Sequence, residues 1–253
     1  MKIEEMVNKI FLETPGQFEY LKQVPDNSIN LIIIDPPYLT TSEIWDKNEV
    51  VTDGLSKELF RVAKDSCSLY VWCGIGEKSQ SLIRWYPIFS GNWHFKDLIT
   101  WKKQRGIGMR KGWLYTREEI MWFVKDNKQF IWNKKEQCGN ERRKRDNGKD
   151  EIKPSQSGHF AKSIYKRLTN VWEDINEESF NITQKVLHFT PKPIKALERI
   201  IKCHTKENDI VLDCFMGAGS TALACKRLNR NFIGMEIYQE YIDIANKRFR
   251  GEL

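Results

Sequence analysis

The run Leu31-Ile32-Ile33-Ile34 carries no polar alternation, is entered through Asn30, and ends at Asp35-Pro36-Pro37-Tyr38. A continuous apolar run bounded this way reads as a central parallel strand covered on both faces. Before it, Ile10-Phe11-Leu12 reads as a short strand and Gln17 to Gln23 as a helix, closed by the turn Pro25-Asp26-Asn27-Ser28. Strand, helix and strand in that order form a parallel crossover, which is right-handed almost without exception. Asp53 to Lys64 places Leu55, Leu59, Phe60 and Ala63 on one helical face, and Ser68 to Cys73 is the next buried strand. A helix over Glu77 to Trp85 and strands over Phe95–Trp101 and Ile120–Val124 complete an α/β first half.

Regular pattern resumes after Pro191. A helix from Pro193 to His204 opens on proline, and Asp209-Ile210-Val211-Leu212-Asp213 is a strand. It runs into Cys214-Phe215-Met216-Gly217-Ala218-Gly219-Ser220-Thr221, a glycine-rich turn that opens a helix over Ala222 to Leu228. Asn231 to Met235 is the following strand, ending at Glu236, and a last helix spans Tyr238 to Arg248. This is a nucleotide-binding βαβ unit: its glycines let backbone approach a ligand, and an acid at the end of the second strand suits ribose hydroxyls. A phosphate-binding P-loop is excluded, because Ser220-Thr221 follows Gly219 without the lysine such loops need. Spacing alone leaves an NAD-dependent dehydrogenase open.

Between Lys125 and Arg167 the periodicity fails, and 13 Lys or Arg stand against 6 Asp or Glu. That excess of seven equals the formal net charge of +7 for the whole chain. The stretch holds Arg142-Arg143-Lys144-Arg145, with Phe130, Trp132, Phe160 and Tyr165 dispersed through it. Basic side chains neutralise phosphates and aromatic rings stack or wedge at bases, so the long insertion points to nucleic acid. A hydride-transfer enzyme has no evident use for it.

The six cysteines (67, 73, 138, 203, 214 and 225) form no C-x-x-C pair and have no histidine at metal spacing. Neither a zinc site nor a disulfide framework is expected, and the thiols read as reduced and mostly buried. No apolar run approaches a membrane span and the first residues lack a signal-peptide core, so a cytoplasmic protein with no membrane partner is expected.

Asp35 falls at the carboxyl end of a parallel strand, where such sheets bind ligands. Two prolines stiffen the exit and remove two amide donors. The loop therefore offers a carboxylate, free carbonyls and an aromatic ring within four residues, a set that suits a flat heterocycle bearing an exocyclic amine. No cysteine sits beside it, as nucleophilic attack on a ring carbon would require.

With these motifs in this order, nearly the whole chain resembles the amino-methylating DNA methyltransferases that use S-adenosylmethionine, in their permuted beta-class arrangement. The family's D-P-P-Y motif matches Asp35 to Tyr38, its target-recognition region about Lys125 to Leu187, and its F-x-G-x-G motif Phe215 to Gly219. Trp101-Lys102 and Arg117-Glu118-Glu119 are further matches, and His188-Phe189-Thr190-Pro191-Lys192-Pro193 is similar to the family's H-P-T-Q-K-P. The chain departs from the pattern at Phe189 and Pro191, at Ser220 where threonine is commoner, and at Gly16, where many members carry an acid that here has Glu13 nearby.

The resemblance implies an S-adenosylmethionine-dependent methyltransferase (Rossmann-like) α/β fold, circularly permuted. Residues 1–124 would form the catalytic half, 125–187 the target-recognition insertion and 188–253 the cofactor half. Asp35, Pro36, Pro37 and Tyr38 would be catalytic. His188, Thr190, Lys192, Asp213, Phe215, Gly217, Gly219, Ser220, Thr221 and Glu236 would bind the cofactor, with His188, Thr190 and Lys192 closing over its methionine end. Arg142, Arg143, Lys144 and Arg145 would contact DNA, and no metal is implied. The expected reaction is methylation of adenine N6 in double-stranded DNA, with a cognate restriction endonuclease and a homodimer as expected partners. N4-cytosine methylation, an RNA substrate, and a DNA-binding regulator that has lost turnover are the alternatives.

Overall fold

The computed structural model describes residues 1–14, 16–41, 46–107, 111, 113–133, 138–141, 165–177 and 191–253. His188, Thr190 and the basic run Arg142 to Arg145 lie outside them. Among the described residues the elements, in chain order, are α1 (Ile3–Met6), β1 (Lys9–Leu12), α2 (Glu19–Gln23), β2 (Ile29–Ile34), α3 (Asp53–Val62), β3 (Ala63–Cys73), α4 (Ser81–Ser90), β4 (His94–Ile107), β5 (Tyr115–Val124), β6 (Cys138–Glu141), β7 (Tyr165–Arg167), β8 (Val171–Trp172), α5 (Ile194–His204), β9 (Ile210–Asp213), α6 (Ser220–Arg227), β10 (Asn231–Glu236) and α7 (Gln239–Arg250).

Eight strands form one sheet in the order β1-β10-β9-β2-β3-β5-β4-β8, and β6 and β7 pair separately. All neighbours in the large sheet are parallel except β5, which runs against both β3 and β4. Every residue of β2 is buried, as its unbroken apolar run requires, with one core on each face of the sheet. Leu55 and Leu59 of α3 pack into the first core with Trp85 and Phe89 of α4, and Leu197, Ile200 and Ile201 of α5 into the second.

The strand β2 pairs with β3 on one side and β9 on the other, and the chain leaves β2 and β9 towards opposite edges. Their carboxyl ends therefore flank a topological switch point, the place where open α/β sheets bind ligands. Strand register decides what meets there. Leu31 and Ile32 align with Val211 and Leu212, Gly234 with Asp213, and Leu12 with Glu236. Four adjacent parallel strands thus deliver Asp35, Asp213, Glu236 and Glu13 to one rim.

Several elements differ from the sequence reading. The fourth helix begins at Ser81, four residues after Glu77, because the Gly74 amide donates to Ser81 Oγ (2.7 Å) and the Leu82 amide to the Gly74 carbonyl (3.1 Å). It also continues past Pro87 to Ser90. The hairpin strands β4 and β5 extend well beyond their apolar segments, and β8, within the expected insertion, joins the main sheet beside β4. Asn133 likewise docks on the main body, its amide donating to the Cys203 carbonyl at 2.8 Å.

Candidate active site

The loop after β2 is held from several sides. Tyr38 Oη donates to Asp35 Oδ1 at 2.9 Å, and its ring meets Trp85 edge-on at 5.8 Å. Leu39 takes a left-handed backbone conformation (φ 63°), and Asp46 accepts from the amides of Leu39, Thr40 and Thr41 at 2.6, 2.6 and 2.5 Å. Asp46 is buried, and the three amides converging on its carboxylate fix the turn. Sequence reasoning overlooked this residue; it stands eight positions beyond the motif, with no spacing signal.

Asp35 Oδ2 lies 2.9 Å from Lys192 Nζ, and the same ammonium lies 3.1 Å from Glu118 Oε2. Glu118, on β5, also pairs with Lys103 of β4. Lys192 is almost fully buried and sits over the rings of Tyr38 (5.3 Å) and Trp72 (5.2 Å). Burial raises the pKa of Asp35, an effect that Lys192 opposes and Glu118 reinforces. For Glu118, burial acts upward but is outweighed by Lys192 and Lys103, leaving its pKa below the usual value. For Lys192, burial acts downward but is outweighed by the two carboxylates, leaving the ammonium more firmly protonated than a free lysine.

Asp213 and the turn after β9 form the neighbouring wall. Asp213 Oδ1 accepts from the Phe215 amide (3.0 Å) and Oδ2 from Thr221 Oγ1 (2.6 Å). Burial pushes its pKa up to about 7, against those two bonds, with the charges of Asp35 and Glu236 adding to the rise. Glu236 Oε2 accepts from the Gly217 amide (2.7 Å), and Oε1 from the amides of Ile237 (2.9 Å) and Tyr238 (3.1 Å). Burial raises its pKa too, with those amide bonds opposing the rise. Gly217 takes φ 51°, which glycine adopts without strain. Gly219, at φ 81°, faces the other way: a Cβ there would stand 2.6 Å from Ala245 Cβ of α7, so its lack of a side chain serves helix packing. Glu13 accepts from the amides of Glu19 (2.8 Å) and Tyr20 (2.9 Å) at the start of α2, and both Glu13 and Gly16 line the cavity between these walls.

These walls enclose one cavity of about 470 Å³, within the range of small-molecule and cofactor sites. Its lining runs from Asp35, Pro36, Pro37 and Tyr38, past Lys192, to Asp213, Phe215, Gly217, Ser220, Thr221 and Glu236. Of the expected site residues that are described, only Gly219 is not part of the lining. Trp72 also lines the cavity, and its buried Nε1 has no hydrogen-bond partner among the described residues.

The sequence profile of the DNA methylase family, which comprises N6 and N4 methyltransferases, matches residues 29–247. The chain belongs to the DNA methylase family. The methylase is 33% identical to the type II methyltransferase M1.MboII of Moraxella bovis over 90% of its own length and 92% of the relative's. It is 29% identical to the DNA adenine methyltransferase YhdJ of Escherichia coli (strain K12), over 90% of its own length and 78% of that protein's. Among solved structures, the complex of M1.HpyAVI with S-adenosylmethionine superposes with a TM-score of 0.63 at 27% identity, covering 95% of the methylase and 98% of that chain. S-adenosylmethionine is the methyl donor of the family, and the cavity of the methylase suits it in size and in donor set.

No group of His, Cys, Asp or Glu among the described residues of the methylase is arranged to hold a metal, and Cys67, Cys73, Cys203, Cys214 and Cys225 are free and buried. No helix among the described residues is long and apolar enough to cross a membrane.

Proposed function

We propose that the methylase transfers a methyl group to the N6 amine of adenine in double-stranded DNA. One observation carries this reading: Asp35 and Tyr38 share a single cavity with the glycine turn and Glu236. Phe215, Gly217, Asp213, Ser220, Thr221 and Glu236 would hold S-adenosylmethionine, which supplies a methyl group on a sulfonium sulfur. Glu236 Oε2 accepts a single amide and keeps a second lone-pair direction, which suits a ribose hydroxyl.

An exocyclic amine is a poor nucleophile because its lone pair is delocalised into the ring. Asp35 and the Pro36 carbonyl would accept hydrogen bonds from its two N–H groups, drawing the lone pair out of the ring towards the methyl group that S-adenosylmethionine supplies, and the nitrogen would shed one proton to solvent once methylated. Pro37 keeps the loop stiff, and Tyr38 offers a face to a base that has left the helix stack. The basic run Arg142 to Arg145 contacts phosphates, residues 125–187 carry target recognition, and His188 and Thr190 close over the cofactor. A cytoplasmic setting, a cognate endonuclease and a self-paired dimer fit the same reading.

Adenine is favoured over cytosine by the acid at position 35, and the adenine specificity named for YhdJ supports it. The test is methylation of plain DNA with labelled donor, followed by nucleoside mass spectrometry. N6-methyladenine is expected, N4-methylcytosine would overturn the base assignment, and an Asp35→Ala protein with parental turnover would overturn the mechanism.

A further inference from the structure

Both oxygens of Asp35 are already engaged. Oδ1 accepts from Tyr38 Oη and Oδ2 from the Lys192 ammonium, each at 2.9 Å. A carboxylate that answers an ammonium has less charge to offer a neutral N–H, so the resting arrangement makes Asp35 a weaker acceptor than the reaction needs. Lys192 has a second place to go. Glu118 Oε2 is 3.1 Å away, and Glu118 is itself held by Lys103 on the adjacent strand, so it does not follow the ammonium. A buried cation nearly equidistant from two carboxylates needs only a small displacement to favour either, and it stays paired throughout.

We infer that Glu118 is a positioning residue for amine methylation: it takes the Lys192 ammonium from Asp35 when the target amine enters, leaving Asp35 Oδ2 free to accept the amine N–H. The inference rests on the role given to Asp35 above. No proton changes hands in this exchange, and Lys192 stays charged in both positions. Glu118 is suited to it by geometry, because β5 and β4 present Glu118 and Lys103 to the same cavity that Asp35 and Lys192 line. Without Glu118 the ammonium would have Asp35 as its one remaining carboxylate among these groups.

The test compares parent, Glu118→Gln, Glu118→Asp, Lys192→Met and the double variant Glu118→Gln/Lys192→Met, using the full chain and unmethylated plasmid DNA. Glu118→Gln should slow single-turnover methyl transfer by roughly tenfold or more, with calorimetric affinity for S-adenosylmethionine unchanged. Glu118→Asp, which keeps a carboxylate, should recover part of the rate. In the Lys192→Met background the Glu118→Gln change should cost nothing further, because no ammonium remains to be moved. NMR titration of the cofactor-free protein gives a second readout: Asp35 should titrate at lower pH in Glu118→Gln, freed of a neighbouring negative charge and with Lys192 to itself. A parental rate in Glu118→Gln, or a further loss of rate in the double variant, overturns the inference. If the parent transfers no methyl to DNA the functional reading fails as well, an outcome distinct from a defect confined to the variants.

Discussion

Gly219 on the cofactor turn and Ala245 on α7 are packed so closely that a Cβ on the glycine would stand 2.6 Å from the alanine Cβ and 3.0 Å from its Cα. The backbone atom cannot swing aside, and the glycine's φ of 81° already disfavours a side chain. Gly219→Ala should therefore lower stability by about 1–3 kcal/mol through overpacking. Urea melts of parent and variant decide the matter. A variant that melts with the parent and is weakened only in cofactor affinity would assign the glycine to the ligand instead.

Tyr38 combines two contributions that two substitutions separate. Tyr38→Phe keeps the ring and removes the hydroxyl that donates to Asp35, a bond that lowers the Asp35 pKa. On the proposed mechanism Asp35 must be ionised to accept the amine, and without the Tyr38 bond it ionises later, so the acidic limb of the rate profile should move to higher pH. Tyr38→Ala also removes the face for the extruded base and should weaken target binding by about 1–3 kcal/mol. Stopped-flow rates across pH and equilibrium binding to DNA carrying the target site measure the two effects.

His204 is buried under Tyr70, Trp122 and Trp132, outside the cavity lining. Its Nδ1 lies 2.7 Å from the Ile131 carbonyl, which can only accept, so Nδ1 carries the proton and Nε2 accepts from Tyr70 Oη at 2.6 Å. Burial lowers its pKa to about 3, the Ile131 bond opposing the shift. The folded pKa lies below the unfolded value near 6.5, so this contribution to stability is complete above pH 6.5 and is lost as pH falls towards 3. The loss should be roughly 1.4 kcal/mol per pH unit through that window. Denaturation midpoints from pH 7 to 4 should fall less steeply in His204→Gln than in the parent.

The quartet Arg142, Arg143, Lys144 and Arg145 is predicted to meet phosphates. Replacing all four with alanine should weaken binding to DNA of any sequence and flatten the salt dependence by about 0.9 for every phosphate no longer neutralised. Filter binding over a salt series reads both quantities. An unchanged slope would leave the run as solvated surface.

The parts of the fold written in local pattern are legible in the amino-acid sequence. The unbroken run of β2, the strand, glycine turn and helix of β9 and α6, and the acid closing β10 each declare themselves within a few residues. What depends on distant partners did not. β4 and β5 continue through Lys102, Lys103, Arg117 and Glu118 because they pair with each other, which no apolar alternation announces. Lys192 lines the cavity, but its ion pairs with Asp35 and Glu118 were not legible, because those two residues are separated by most of the first half of the chain. Asp46 went unseen for the same reason: its work is to receive backbone amides, and any acid in a loop resembles any other until the turn has closed on it.

The pairing of β2 with β9 also sets a clock. Asp35 leaves the ribosome about 180 residues before Asp213, roughly 10–40 seconds at ordinary elongation rates. Throughout that interval β2 lacks one of its two hydrogen-bonded neighbours, and its largely apolar strand has an open edge. The Asp35 loop thus exists well before the glycine-turn wall it faces, so on the proposed mechanism a nascent chain holds the amine-binding half of the site without the half for the methyl donor, and β2 is the strand most in need of shielding while it waits.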